Sequence, residues 1–171
     1  GYNSLTAAVL FRGNSAIGAF TSVLGEYNTL GGLGSVTYGN YCTNLGFLTR
    51  SVGNASCAMG YTSRATGAYC ISIGNPAYST GLNHIAIGKN AQITAGTSDI
   101  AIGTIAQSSG TFSIAIGEGA QAIGNSIISI GSGASSFAAF ATVIGAGSSA
   151  AGASDIAIGQ GVFASGLNAI A

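Results

Sequence analysis

The sequence has no tryptophan, one proline, one methionine, and four basic and four acidic residues among 171. Charged residues make up 5% of it, against about 25% in ordinary soluble domains. Solubility must therefore rest on Ser, Thr, Asn and Gln, or much of the surface must be covered by partners. The formal net charge is zero, so no general attraction to nucleic acid or to an acidic membrane surface is expected. Mean hydropathy is high at +0.52, yet no long apolar run exists. The longest comparable stretch, Phe137 to Ile144, contains Thr142 and stops at Gly145. A spanning helix needs about 18 or more apolar residues, so membrane insertion by this segment is not expected. No charged start and cleavage site open the chain. The three cysteines, Cys42, Cys57 and Cys70, are odd in number and lack C-x-x-C spacing, which excludes a disulfide framework and a zinc site. One histidine and scattered carboxylates form no ligand cluster, and no metal or cofactor is expected.

What is abundant is glycine, and it is periodic. Glycine recurs every seven residues from Gly18 through Gly88, and after one extra residue between Lys89 and Gly96 it resumes through Gly131. Ala138 takes one place, and Gly145, Gly152, Gly159 and Gly166 complete the series. Of 29 glycines, 21 lie on this ladder, so the ladder is the architecture. A coiled coil is excluded. One interior glycine costs about 1 kcal/mol in a helix, and there are no flanking charges to set a register.

The two halves of the repeat differ, so the unit is 14 residues. Alternate glycines close an I-x-I-G ending, as in Ile71-Ser72-Ile73-Gly74, Ile85-Ala86-Ile87-Gly88 and Ile156-Ala157-Ile158-Gly159. The other half is small and polar, as in Ala120-Gln121-Ala122. Each half alternates with period two, the strand signature, and each ends where glycine permits a turn. The expected fold is all-β: a parallel β-roll, or β-solenoid, of 14-residue coils stacked about 4.8 Å apart. About eleven coils would make a roll roughly 50 Å long. Residues 57–171 are the regular part and residues 1–56 the looser one. Both ends read as mid-repeat, since Gly166 to Ala171 begins the unit that runs earlier as Gly81 to Gly88. A segment of a longer fibre is therefore expected.

Counting from the glycine that ends I-x-I-G, here the anchor, inward positions are expected one and three before it and three and five after it. The isoleucines would then face small residues across a thin core, and all eight charged residues would stay outside. On this register the residue between the isoleucines faces outward. It is nearly always small: Ala58, Ser72, Ala86, Ala101, Ala115, Ser129 and Ala157. A flat wall of alanines suits close packing against a copy of itself, and a single thin roll has a poor surface-to-volume ratio. This wall is the expected oligomer interface.

The segment Asn83-His84-Ile85-Ala86-Ile87-Gly88 has echoes at Ser98 to Gly103, Phe112 to Gly117, Ser154 to Gly159 and Asn168 to Ala171. It resembles the N-S-V-A-I-G head repeat of trimeric autotransporter adhesins, the YadA-like heads. Similar repeats occur in tail and capsid fibres of phages and large viruses. The resemblance is strong from about Cys57 onward. It implies a left-handed roll, a homotrimer, an extracellular place on a bacterial cell or virion surface, and a non-enzymatic role in attachment to a host glycan or protein receptor. Three cysteines and the scarcity of charge depart from the bacterial pattern and favour the viral variant.

Two columns carry candidate chemistry. Four residues before the anchor, Cys70, His84 and Asp99 stack on consecutive coils. They could imitate a nucleophilic relay, but a flat ladder supplies no oxyanion hole, so a surface His84–Asp99 ion pair is expected instead and no catalytic residue is assigned. Four residues after the anchor run Arg50, Arg64, Tyr78, Gln92, Gln107 and Gln121, facing outward. Arg, Tyr and Gln suit acidic glycans and sugar hydroxyls, although a glutamine ladder also stabilises stacked strands. Tyr27, Tyr41, Tyr69, Phe112 and Phe140 share a corner and are expected to fill it from inside. Asn54-Ala55-Ser56 is a lone glycosylation sequon. Glycine-rich stretches such as Gly117 to Gly124 lack the helix a phosphate loop needs. No repeated Thr-x-Thr array suggests ice binding.

Overall fold

The computed structural model describes residues 7–8 and 12–171; the parts of the expected roll at residues 1–6 and 9–11 lie outside these. Among the described residues there is no helix, and 23 short strands form two parallel sheets. Each sheet takes every second strand in chain order. One sheet has twelve strands, from Ala7–Ala8 to Phe163–Ala164, and the other eleven, from Ser15–Ile17 to Ile156–Ile158. A chain that alternates between two sheets and always advances by one strand is a β-solenoid, here of about 11 turns.

Register follows the repeat. Ile71 pairs with Ile85, Ile100 with Ile114 and Gln107 with Gln121. The single longer coil pairs Ile85 with Ile100. Its extra residue is absorbed as a register shift between Ile93 and Gly96, inside the interval the glycine ladder marks out.

The corners show why glycine recurs. At Gly103, with φ +136°, an added Cβ would come within 3.0 Å of the Gly117 carbonyl oxygen on the next coil. The same clash meets Gly46 and Gly88, and also Gly67 and Gly110, whose φ values are not left-handed. The anchor glycines are therefore required by the approach of one coil's backbone to the next, beyond their conformational freedom. Where Ala138 replaces glycine the approach is looser, and a Cβ on Gly124 would be 3.2 Å from the Phe137 oxygen. The remaining turns are made by single left-handed residues five before and two after the anchor, such as Tyr41 (φ 58°), Phe112 (φ 59°) and Ile105 (φ 61°). Each such non-glycine residue costs about 1–2 kcal/mol. The backbone ladder continues through them, with Tyr41 N donating to Glu26 O at 2.9 Å and Phe112 N to Thr97 O at 2.9 Å.

The core corrects the expected inside and outside of one wall. On the twelve-stranded sheet, residues three and five after the anchor point inward as expected, for example Ala77, Ser79, Ala120 and Ala122. On the eleven-stranded sheet the parity is reversed. Ala58, Ser72, Ala86, Ala101, Ala115, Ser129 and Ala157 are all 0% exposed and line the interior. They cannot form an interface between chains. The isoleucines on either side of them face outward and are half-buried by their neighbours along the ladder, as at Ile71, Ile73, Ile100, Ile102, Ile114 and Ile116. A coil of 14 residues brings its sheets so close that the interior admits mainly small side chains, and the large ones are turned out. The few large apolar interior residues, among them Leu30, Ile93, Ile127 and Val143, are fully buried, and Ile93 and Ile127 pack among alanines. Ser15, Thr29 and Thr43, each three before an anchor glycine and so at a position expected to face inward, lie in the outward column and are exposed or half-exposed.

Substitution separates crowding from conformation. Gly103→Ala should destabilise the roll by more than about 3 kcal/mol, because backbone must move. Gly119→Ala keeps a left-handed φ of +64° but meets nothing within 4 Å, and should cost about 1 kcal/mol. Chemical denaturation of both variants checks this. Equal losses would show that φ alone selects glycine.

Candidate functional site

The column four residues before the anchor lies inside the roll, contrary to the expectation of a tolerant surface position. Cys42, Ser56, Cys70, His84, Asp99, Ser113, Ile127, Ala141 and Asp155 are all buried. From there a polar side chain reaches the backbone of the next coil's corner. Asp99 accepts from Ser113 N at 2.8 Å and Gly110 N at 3.0 Å. Asp155 accepts from Ala169 N and Gly152 N, both at 2.8 Å. Asn28 accepts from Cys42 N at 2.8 Å, and the Cys42 thiol donates to Gly53 O at 3.1 Å. Two of the eight charges are thus interior. Each is held by a pair of backbone N–H donors, which is how an acceptor-only carboxylate can be buried.

The same geometry removes the relay and the ion pair. Neither ring nitrogen of His84 has a hydrogen-bond partner, and the Asp99 carboxylate turns toward Gly110 and Ser113. The Cys70 thiol points to the carbonyls of Ala68 and Gly81. The three side chains are stacked but not connected. Burial lowers the His84 pKa, opposed in lesser part by the Asp99 charge and the backbone of Gly96 and Thr80. Burial raises that of Asp99, opposed by its two N–H donors and by His84. Among the described residues no group of three or more His, Cys, Asp or Glu side chains could hold a metal ion.

The second column lies where it was expected, on the outer surface of the twelve-stranded sheet. Arg50 pairs with Arg64, Arg64 with Tyr78, Tyr78 with Gln92, Gln92 with Gln107 and Gln107 with Gln121. Arg50, Arg64 and Gln92 are exposed, and the other three half-exposed. The Arg50 guanidinium lies 5.2 Å from the centre of the Tyr38 ring, a cation–π distance. Gln121 Nε2 reaches Gln107 Oε1 at 3.5 Å, at the limit of a hydrogen bond. Two adjoining grooves open along this column. One of about 300 Å³ is bordered by Thr62, Arg64, Pro76, Tyr78 and Gln92; one of about 160 Å³ runs from Gln92 past Thr94 to Gln107.

Corner aromatics also differ from expectation. Tyr41, Tyr69, Phe112 and Phe140 are each more than 60% exposed, and Tyr27 is exposed too. A left-handed corner residue turns its Cβ away from the roll, so none can fill the core. Tyr27 and Tyr41 stack in parallel, with centroids 5.2 Å apart. At the sequon, Asn54 is exposed and accepts from Asn40 N at 3.0 Å, while the Ser56 hydroxyl is buried on Gly53 O at 2.7 Å.

The outward isoleucine columns are the feature that sequence reasoning missed. A signal was present: the residue between the isoleucines is small in most coils, as an interior position of a thin roll must be. No family model matches the chain, and no curated protein matches it either.

The buried histidine generates a pH prediction. An unfolded histidine takes a proton near 6.5, whereas folded His84 resists protonation. The unfolded state then binds more protons, so stability should fall as pH drops through that region. Asp99 has the opposite sign: its raised folded pKa favours the folded state as pH falls toward 3.8. Ser56 and Ser113 occupy the same column, so His84→Ser should fold. It should lose the decline between about pH 7 and 5. Thermal melts across that range check this, and parallel profiles for both proteins would contradict it.

Proposed function

We propose that this chain is a non-enzymatic segment of an extracellular fibre, in which three copies pack their isoleucine faces together and the assembly serves attachment to a host. The observation that carries the reading is the pair of outward isoleucine columns on the eleven-stranded sheet. They run through Ile71/Ile73, Ile85/Ile87, Ile100/Ile102, Ile114/Ile116 and Ile128/Ile130, one pair per coil and in register. A continuous apolar stripe on a chain with so few charges marks an interaction surface. A ladder of constant pitch matches an identical ladder along its whole length, whereas a globular partner would match it only locally. That favours a copy of the same chain. The resemblance to YadA-like heads implies that the copies number three and that the coil is left-handed, with the stripe in place of the alanine wall as the contact.

A passive spacer is the reading next in line, on a virion or phage fibre as much as on a bacterial cell. Much of the surface away from the isoleucines is small and polar, as at Ser135, Ser149 and Ser165, which suits a rod that only carries a tip. Full-fibre adhesion with Arg50 and Arg64 changed to Ala separates spacer from binder.

Light scattering on the 16.5 kDa chain tests the assembly. A β-rich species of three times that mass is expected. Ile102→Glu with Ile116→Glu should shift it to monomer while the β spectrum persists, because these side chains point out of the roll. A monomeric wild type would remove the reading.

A further inference from the structure

On the face that carries Arg50 through Gln121 the repeat is broken twice, and the breaks flank one place. Pro76, the single proline, stands two residues after its anchor glycine. The neighbouring coils hold Thr62 and Asn90 there, at φ 54° and 57°. Proline fixes φ near −65°, so this coil cannot make its neighbours' left-handed corner. One coil further on, the inserted residue bulges the strand Gln92–Thr97 between Ile93 and Gly96. The two grooves of about 300 and 160 Å³ lie along this stretch, and Gln92 borders both. They form a shallow trough along the solenoid axis.

We propose that this trough binds an acidic saccharide, with a sugar-acid carboxylate on Arg64 and the adjoining sugars running over Tyr78 toward Gln92 and Gln107. Arg64 is exposed and its guanidinium has no hydrogen-bond or ion-pair partner among the described residues. No carboxylate shares its face: Asp99 and Asp155 are interior, and Glu26 and Glu118 sit at corners. A planar guanidinium with free donors takes a carboxylate through two parallel hydrogen bonds. The Tyr78 ring offers a flat apolar patch beside it. The Gln92 and Gln107 amides present donors and acceptors on successive rungs, about 4.8 Å apart, which suits a linear chain of hydroxyls. A peptide fits less well. The backbone groups on this face are already spent between coils, as in Arg64 N to Ala77 O and Tyr78 N to Ala91 O, both 2.9 Å, so no open edge is left for strand addition. The trough is complete within one chain and lies on the sheet opposite the isoleucines, so the site goes beyond the fibre reading and does not depend on the trimer.

The test is calorimetric titration of the full chain with 3′-sialyllactose, trigalacturonic acid and lactose. A shallow site near the lower end of ligand-pocket volumes should give a Kd on the order of 1 mM for at least one of the acids. Lactose should bind at least about tenfold more weakly. Binding of the sialylated probe alone assigns a sialic acid, and of the galacturonate alone a uronic acid; either supports the site. Arg64→Ala should weaken binding about tenfold, and Arg64→Lys should recover only part of that, since an ammonium cannot pair bidentately. Tyr78→Ala should weaken it about fivefold. Because these side chains point outward, the variants should keep the wild-type circular dichroism, which excludes misfolding as the cause. The proposal is overturned if neither acid binds at about 10 mM, if lactose binds as well, or if Arg64→Ala leaves the affinity unchanged.

Discussion

The close approach of one coil's backbone to the next at the glycine corners is the constraint on which the rest of the molecule depends. At each anchor glycine from Gly18 to Gly145, the carbonyl of the following coil occupies the space that a side chain would need. This sets the pitch and holds the register. The strands can therefore be very short, many of them two or three residues, because neighbouring coils are aligned at the corners as well as along the sheets. Even the inserted residue changes the register only locally, and pairing resumes at Gly96.

Coils this small leave a thin interior, and the rest of the side-chain distribution follows. The inner columns hold mainly Ala and Ser, and interior hydroxyls and amides bond to one another across the roll and from coil to coil. Asn44 Nδ2 donates to Thr37 Oγ1 and to Val36 O, both at 2.7 Å. Thr49 donates to Ser35 at 2.9 Å, and Ser72 and Ser79 lie 2.6 Å apart. Satisfying such groups inside stabilises the roll without bulky hydrophobes. The bulky ones are displaced outward, and a solenoid whose largest apolar side chains face away from its own core has an incentive to associate. In the proposed fibre, the hydrophobic core lies between chains more than within them.

The fold was legible because it rests on backbone rules that leave a periodic trace. Glycine spacing, two-residue alternation and the one extra residue each had a single structural reading. The outward column from Arg50 to Gln121 was legible for the same reason, since its wall follows the ordinary alternation of small inner and larger outer residues. What misled was size. Placing isoleucine inside assumes a core wide enough to take it, and the width of a coil is a tertiary property that spacing does not state. Once that parity was wrong, His84 and Asp99 were placed outside and Ala86 and Ala101 at an interface. The corner aromatics failed separately. Nothing in Tyr41 or Phe112 announces a left-handed φ, and only the turn geometry turns these rings outward. The trough left a fainter trace, in a lone proline at position 76 and one extra residue between Lys89 and Gly96.

The proposed meeting of chains along the isoleucine side of the eleven-stranded sheet can be probed with a cysteine the protein already carries. Cys57 stands in the outward column, paired with Ile71 and Thr43, while Cys42 and Cys70 are buried in a column that also accepts serine. With Cys42→Ser and Cys70→Ser in place, a short bismaleimide should join Cys57 of one chain to Cys57 of another and give covalent dimers from the assembled protein at low concentration. A Cys57 thiol that alkylates freely and never cross-links would contradict the account and leave the isoleucine stripe facing something other than a copy of this chain.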